Sequence, residues 1–270
     1  METDIEVRNS AKKPWQNINL RGDVEAEYLY ATMLGRQLLP FGFTDLSLVV
    51  LPIEDKLIGL NIVNKEMALG KGHTCLYDWL IQVEKLWDKY KKTGNKSTVY
   101  QWLDYMRKLT SQHPTGYHTV VYNRVGTNLA SCVISPTSEN GVKVSGINVN
   151  GFVADIDTFL FQTQEESEAH YLCAFLNAPS VDNIIKPHQT KGQWGERDIA
   201  RRPFEVIPIP KYDPADDKQK KLAGLSKECH REVAKLSLKG KSIGFLRNKV
   251  RDHLSSELGE IDELVKTILA

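Results

Sequence analysis

The spacing of apolar residues changes twice along this sequence, and that change limits the folds open to it. Between Thr74 and Lys92 apolar side chains recur every three or four residues, the period of a helix buried on one face. From Gly116 the period becomes two, which is typical of strands. From Glu165 the helical period returns. A chain whose strands are grouped between helical stretches is predicted to be α+β.

Helices are predicted where the apolar period is near 3.6 and a capping or breaking residue marks an end. Asp23 can cap the first of them, and Pro40 and Gly42 follow it. In the helix at 98–109, Trp102 and Met106 are predicted to face inward because they follow the helical period. The predicted helices span 24–39, 74–92, 98–109, 165–176, 180–186, 216–238, 245–256 and 259–269. Acidic residues balance the basic residues of the last three helices, which are therefore predicted to lie on solvated faces.

Strands are predicted in segments rich in β-branched and aromatic residues, at 46–53, 117–123, 128–134, 142–147, 157–161 and 204–209. Pro208 and Pro210 mark the last segment as an edge strand. The expected fold is a curved antiparallel sheet flanked by helices, with a helical N-terminal insertion and a helical C-terminal tail. Three regions are expected: an irregular N-terminal segment (1–23), an α+β domain (24–212) with its helical insertion at about 74–110, and a C-terminal helical segment (213–270).

Composition is that of a globular protein kept in a reducing compartment. Of the 270 residues, 41% are hydrophobic and 26% are charged, and no apolar run approaches the roughly 18 residues of a membrane helix. Four cysteines lie far apart, with no Cys-x-x-Cys pair, so reduced and mostly buried thiols in the cytoplasm are expected. The net charge of +1 argues against coating nucleic acid by charge alone, although it allows a local basic patch.

A polar, glycine-punctuated stretch from Lys186 to Lys211 departs from this balance. It holds six Lys or Arg residues against three acids, together with two glycines, two glutamines and one tryptophan. Backbone that can approach a partner, long cationic donors and carboxamides are the groups that grip phosphates and read base edges. A solvated surface loop between two helices is the alternative interpretation of the same composition.

The known catalytic and cofactor motifs are missing from the sequence. Lys239-Gly-Lys-Ser242 lacks the earlier glycine of a phosphate-binding loop, whose position is Lys235. There is no dinucleotide-binding glycine motif, no Gly-x-Ser-x-Gly and no His-Glu-x-x-His, and the seven histidines are scattered singly. No catalytic residue, metal site or cofactor is therefore predicted.

A series of short motifs resembles one family. The series runs through residues 21–30 and 35–41, and then through Leu176-Asn-Ala-Pro179, Arg197-Asp-Ile199, Ile207-Pro-Ile-Pro210 and Gln219-Lys-Lys-Leu222. This order is similar to the C-terminal target-recognition region of TaqI-like and other type II N6-adenine DNA methyltransferases and restriction–modification enzymes. The resemblance spans roughly residues 20–235.

The sequence departs from the complete enzymes in that family. It has no Asn/Asp-Pro-Pro-Tyr/Phe motif to hold a flipped adenine, and no Phe-x-Gly-x-Gly loop for S-adenosylmethionine. The resemblance therefore implies a non-catalytic module that recognises a short sequence of double-stranded DNA. Its implied partner is an N6-adenine methyltransferase, or methyltransferase–nuclease, in a restriction–modification or related defence system. Whether this chain is separately encoded or part of a longer one stays open.

Residue type and loop position suggest roles within the basic stretch. Gln suits adenine and Arg suits guanine, each with about 1–3 kcal/mol of discrimination. Trp194 either stacks on the DNA or plugs the loop onto the core. Arg197 either reads a base edge, or Arg197 and Asp198 pair with each other or cap a helix. The candidates are Lys186, Lys191, Arg201 and Arg202 for phosphates, Gln189, Gln193 and Arg197 for base edges, and Trp194.

A non-DNA scaffold is the competing hypothesis. In that case the long helices at 74–92 and 216–238 would mediate assembly, and the basic loop would be incidental. A basic groove about 20 Å wide around 186–211 would favour DNA, given the dimensions of B-DNA. An exposed apolar helix face would favour the scaffold.

Overall fold

The computed structural model describes residues 1–56, 59–136, 142–192, 195–196, 198–238 and 240–270. Helices pack against small, mostly antiparallel sheets, so the predicted α+β class is confirmed. The described helices are α1 (Ile5–Ser10), α2 (Lys65–Gly70), α3 (Thr74–Tyr90), α4 (Val99–Leu103), α5 (Glu166–Asn177), α6 (Pro179–Ile185), α7 (Arg202–Val206), α8 (Asp217–Ala234), α9 (Ile243–His253) and α10 (Ser255–Leu269). The described strands are β1 (Leu29–Met33), β2 (Leu38–Leu39), β3 (Gly42–Phe43), β4 (Ser47–Val50), β5 (Ile53–Asp55), β6 (Leu60–Ile62), β7 (His118–Asn123), β8 (Ser131–Ile134), β9 (Val142–Val144), β10 (Ile147–Val149), β11 (Phe152–Ala154), β12 (Thr158–Thr163), β13 (Lys191–Gly192) and β14 (Gly195–Glu196).

The sheet with strand order β12-β7-β8 is the middle layer of the protein, and all its pairs are antiparallel. Successive side chains of a strand point to opposite faces. Val120 and Tyr122 of β7 pack into the helical layer, while Val121 between them packs toward the second sheet. The strands predicted at 117–123, 128–134 and 157–161 are confirmed in position.

The helical layer covers one face of this sheet. α5 lies against β7 and β8, and α8 packs along α5 with α10 beside both. The residues of α5 predicted to face inward, Ala169, Leu172, Cys173 and Leu176, are buried. The three predicted C-terminal helices are confirmed as α8, α9 and α10, with ends shifted by a few residues.

The second sheet, of order β11-β1-β4, lies on the other face and corrects a prediction. The segment 24–39, predicted as a helix, contains β1, which runs antiparallel to β4 and parallel to β11. Ala31 and Met33 enter one apolar cluster and Tyr30 enters another, so β1 is buried on both faces. A strand buried on both faces has no alternation of polar and apolar residues, and its apolar positions matched a helical spacing by chance.

The neighbouring predicted strands also change. The strand expected at 46–53 is divided into β4 and β5, with Pro52 between them, because proline cannot donate a ladder hydrogen bond. The strand expected at 142–147 is a hairpin of β9 and β10 instead. It turns at Ser145 and Gly146, both of which have positive φ.

The helix predicted at 74–92 is confirmed as α3, whose Leu76, Trp79, Leu80 and Trp87 are buried. The helix predicted at 98–109 is wrong beyond Leu103. Asp104 accepts hydrogen bonds from the backbone N–H groups of Leu109 and Thr110, which fold the chain back in place of a further helical turn. Trp102 and Met106, predicted to face inward, are 57% and 73% exposed.

Two further predictions are corrected. The segment 204–209 was expected to be a strand, but its first residues belong to α7 and none of it is a strand. Pro203 occupies the first turn of that helix, where its fixed φ is favourable. The N-terminal segment, expected to be irregular, contains α1, which Asp4 caps through the N–H groups of Glu6 and Val7. None of the described helices has the length and apolar content needed to cross a membrane.

Candidate nucleic-acid interface

The basic stretch begins as a loop after α6 and forms a short hairpin. A 3-10 turn, Lys186–His188, leads into β13, which pairs antiparallel with β14. Gly192 and Gly195 occupy facing positions in this pair. Three predicted site residues, Gln193, Trp194 and Arg197, lie outside the described residues.

The stretch then docks on the turn that joins β7 to β8. The carbonyl of Arg124 accepts hydrogen bonds from the N–H groups of Ile199 (3.1 Å) and Ala200 (2.9 Å). Val125 and Asp198 form an isolated antiparallel bridge beside these bonds. Segments about 75 residues apart in sequence are thus held together by backbone hydrogen bonds, which brings Arg124 close to Arg201.

The turn itself is held rigidly by a buried amide. The Nδ2 of Asn123 donates to the carbonyls of Val125 and Asn128, both at 3.1 Å, and its Oδ1 accepts from the N–H of Ala130 at 2.8 Å. Gly126 adopts a φ of 154°, and a Cβ there would lie 2.7 Å from Asn123 Nδ2. Glycine is therefore required at this position.

Two arginines of α9 lie behind the turn. Arg247 donates to the carbonyls of Leu38 and Gly35, and Arg251 donates to the carbonyl of Leu129. Burial and the charge of Arg251 lower the pKa of Arg247 to about 10. The prediction that the basic residues of this helix are solvated is therefore wrong for both arginines.

Asp182 of α6 offsets part of this positive charge. Its Oδ1 accepts a hydrogen bond from the N–H of Leu129 at 2.9 Å. Burial raises the pKa of Asp182, while the Leu129 N–H and the charges of Lys186 and Arg251 oppose that rise. The carboxylate thereby ties the start of the basic loop to the same turn.

The remaining predicted residues have different environments. Lys186 lies 3.7 Å from Asp182, and Arg202 pairs with Glu205 at 2.8 Å. Gln189 is only 6% exposed and donates to the carbonyl of Gly126 at 3.3 Å, so in this conformation it anchors the loop and cannot reach a base. Lys191 is in β13, and Arg201 is exposed.

Sequence reasoning missed Arg124, Arg247 and Arg251. Arg124 was part of a predicted turn, and its exposed side chain becomes relevant only because the basic loop docks beside it. Arg247 and Arg251 follow the apolar spacing of Leu246 and Val250 by one residue. That i, i+4 arginine pair next to buried positions was the signal available in the sequence.

A large cavity elsewhere in the protein is unsuited to binding DNA. It encloses about 1840 Å³ between the N-terminal segment, β4 and the 102–112 segment. Acidic residues outnumber basic residues in its lining. The acids are Glu2, Asp4, Glu6, Asp45 and Asp155, and the bases are Arg36, Lys108 and Lys241. Phosphates would be repelled there. Within the described ranges, no three His, Cys, Asp or Glu residues are placed to share a metal ion.

Comparison with known proteins gave weak similarity to solved structures. No family model matches this sequence, and no curated protein matches it. Among solved structures, the chain is similar to the type IIG restriction endonuclease BpuSI, with a TM-score of 0.39 and 15% sequence identity. The match covers 90% of this chain and 26% of that chain, so this protein spans about a quarter of that enzyme's length. A similarity at this level carries no argument about function.

Proposed function

We propose that this chain is a non-catalytic module that recognises a short sequence in double-stranded DNA. It positions an N6-adenine methyltransferase, or methyltransferase–nuclease, in a restriction–modification or related defence system. The basic loop contacts the duplex together with the β7–β8 turn. Its basic side chains contact phosphates, and Gln193 and Arg197 read base edges.

One observation carries this proposal. The two hydrogen bonds to the carbonyl of Arg124 bring two exposed arginines, Arg124 and Arg201, onto adjoining backbone segments. Neither arginine has an ion-pair partner among the described residues. Two cations that are held by rigid backbone, and that form no ion pair with a described residue, suit the regularly spaced phosphates of a duplex. The motif series from Leu176 to Leu222, which resembles target-recognition regions, supports the same conclusion.

The scaffold hypothesis finds little support in α8, one of the two long helices that it invokes. Leu222, Ala223, Cys229 and Val233 of α8 are buried. α5 and α10 pack against that helix. Over its described length α8 therefore presents no apolar face for assembly with another protein.

The test is selection of bound sequences from a pool of random duplex DNA at two salt concentrations. The variants are Gln193→Ala, Arg197→Ala and the double variant Arg124→Gln with Arg201→Gln. The matched control is Arg231→Gln, which removes one exposed charge from α8. We expect the native chain to enrich one short motif, and each loop variant to lose discrimination of about 1–3 kcal/mol at one position.

The double arginine variant should weaken binding to all sequences. Its plot of log affinity against log salt should be shallower by about 1.8, because each lost phosphate contact contributes about 0.9. No enrichment by the native chain at low salt, with or without a methyltransferase, would reject the proposal. Equal losses in Arg231→Gln would reject the roles of Arg124 and Arg201.

A further inference from the structure

A second basic surface lies at the C-terminal end of α3, far in sequence from the basic loop at 186–211. Lys85, Lys89, Lys92 and Lys96 are all exposed there, in a segment whose single acid is Asp88. No ion pair with a described residue occupies any of these four lysines. In a chain with a net charge of +1, this is a pronounced local excess of positive charge.

Three tryptophans hold this region together, and we call the surface the tryptophan patch. Trp15 stacks on Trp87 with ring centroids 5.8 Å apart, and Trp102 packs on the same ring at 5.2 Å. Trp87 donates from Nε1 to the carbonyl of Ser97, which ties the lysine-bearing loop to the helix. Trp102 keeps 57% of its surface exposed. An aromatic face thus lies open beside the lysines.

The two outer tryptophans each bring further cations. Lys12 and Lys13 precede Trp15, and the N–H of Trp15 donates to the carbonyl of Lys12. Arg107 follows Trp102 after one folded turn. All three cations are exposed and make no ion pair with a described residue. The patch therefore draws its charge from three separate segments.

The nearby acids are already engaged within the protein. Glu84 pairs with Lys65 and accepts from the hydroxyl of Tyr100 at 2.7 Å. Asp88 pairs with Lys91 at 2.8 Å, and Asp104 accepts from the N–H groups of the segment that follows it. These acids already have partners within the protein. The exposed lysines therefore contact solvent or can bind a polyanion.

Favourable interaction with the helix dipole explains few of these cations. Such stabilisation is confined to the last turn of a helix, and there it accounts for Lys89. It does not reach Lys96, Lys12 or Arg107. An unpaired basic surface around an exposed tryptophan has the composition of surfaces that follow a nucleic-acid backbone and stack on bases.

We propose that the tryptophan patch is a second nucleic-acid-binding surface, which grips the backbone without reading sequence. The lysines contact phosphates, and Trp102 packs on an exposed base or sugar. This function goes beyond the recognition assigned to the basic loop, because it requires neither base reading nor that loop. Duplex flanking a target and single-stranded nucleic acid share the backbone chemistry involved.

The test measures binding of the full chain to a 30-base-pair duplex and to a 30-nucleotide single strand by fluorescence anisotropy across a salt series. The patch variant combines Lys89→Gln, Lys92→Gln and Lys96→Gln. The matched control combines Lys56→Gln, Lys143→Gln and Lys218→Gln, which are equally exposed lysines. We expect the salt dependence to become shallower by about 2.7 in the patch variant on duplex, and by about 2.1 on the single strand, but not in the control.

Trp102→Leu separates the two nucleic-acid forms. Loss of stacking should weaken single-strand binding by about 5- to 150-fold, since one base–aromatic stack contributes about 1–3 kcal/mol, with a smaller loss on duplex. Thermal unfolding checks that each variant is folded. Unchanged salt dependence in the patch variant overturns the proposal and points to a protein partner for Trp102 instead.

The test of the tryptophan patch can fail or succeed independently of the test of the proposed function. Failure to enrich a motif, with patch-dependent binding retained, would reject sequence recognition and leave the tryptophan patch standing. If the patch variant still enriches a motif and its salt dependence is unaltered, only the role of the tryptophan patch is rejected.

Discussion

His230 on α8 accepts a hydrogen bond on Nε2 from the backbone N–H of Val133 on β8, at 2.9 Å. This bond requires an unprotonated Nε2, and the Nδ1 of the same ring donates to the carbonyl of Ser226 at 2.7 Å. The ring of His170 lies edge-on to that of His230, with centroids 4.9 Å apart. The contact between helical layer and central sheet therefore depends on neutral histidines.

Acid should destabilise this contact. Burial lowers the pKa of His230 to about 4; burial and then the nearby His230 and Lys227 lower that of His170 to about 3. An unfolded histidine titrates near 6.5. The folded state therefore resists protonation that the unfolded state accepts. The contribution of these neutral histidines to the free energy of unfolding is fully present above pH 6.5. It is lost as the pH falls from 6.5 toward 4 and then 3.

Urea unfolding at pH 7 and pH 5 measures this loss. We expect up to about 2 kcal/mol less stability at pH 5 for each of these two histidines. His230→Gln keeps an acceptor that does not titrate, and it should reduce the pH dependence by that amount. His113→Gln changes an exposed histidine and should leave the pH dependence of stability unaltered. Equal pH dependence in all three proteins would contradict the role of His230.

Gly151 is the position where a side chain is least tolerable in the sheet that contains β1. Its φ is 149°, and a Cβ would lie 2.3 Å from the carbonyl oxygen of Pro114, which is backbone and cannot rotate away. Its own carbonyl accepts from the N–H of Ala31 at 2.8 Å. We expect Gly151→Ala to cost more than about 3 kcal/mol in the free energy of unfolding.

Gly146→Ala is the matched control for that substitution. Gly146 also has a positive φ, of 83°, but nothing lies within 4 Å of its added Cβ. Its cost should be only the strain of the left-handed backbone, about 1–2 kcal/mol. Chemical denaturation of both variants would refute the argument if the two losses were the same.

Asp104 should control the conformation of the exposed segment after α4. Its Oδ1 accepts from the N–H groups of Leu109 (3.0 Å) and Thr110 (2.9 Å), and the Thr110 hydroxyl donates to Oδ2 at 2.7 Å. Met106 and Arg107 both have a φ of 56°, a conformation that side chains disfavour. The Asp104 carboxylate offsets that strain.

Asp104→Ala is expected to cost about 2 kcal/mol and to raise the rate of hydrogen exchange across 104–110. Asp104→Asn keeps one acceptor oxygen for the two backbone N–H groups and should lose about half as much. Exchange rates in Asp104→Ala that match those of the native chain would show that the segment holds its shape by other contacts.

The sequence predicts most clearly the helices that have one polar face. α3 and α8 were found because burial on one face leaves a helical period in the sequence. β1 was assigned as a helix because both of its faces are buried. For α7, local β-branched residues suggested a strand, whereas Pro203 and the fold around it favoured a helix.

The candidate interface was predictable only in part, for a similar reason. The composition of the basic stretch identified Arg201, but the pairing of that stretch with Arg124 is a tertiary contact with no local signature. The burial of Gln189 was hidden as well, because a glutamine in a polar loop has the same sequence pattern whether it is exposed or enclosed. The tryptophan patch was missed because Trp102 follows the helical period although the helix ends one residue later.

Asn123 should determine whether the β7–β8 turn can support the basic loop. Its amide is 1% exposed and satisfies the N–H of Ala130 and the carbonyls of Val125 and Asn128. Asn123→Ala would leave these buried backbone groups without a partner, at a cost of about 2–3 kcal/mol. Asn248→Ala, at an exposed position of α9, is the matched control and should cost less than about 0.5 kcal/mol.

The same variant links stability to DNA binding. A loosened turn would free the carbonyl of Arg124 from Ile199 and Ala200, so the two arginines would no longer be held together. We expect Asn123→Ala, at a temperature where it is still folded, to weaken binding to the enriched duplex by about tenfold, which is 1.4 kcal/mol. A variant that is destabilised but binds with native affinity would mean that the loop keeps its position on DNA without this turn, and the interface would then have to be built from the loop alone.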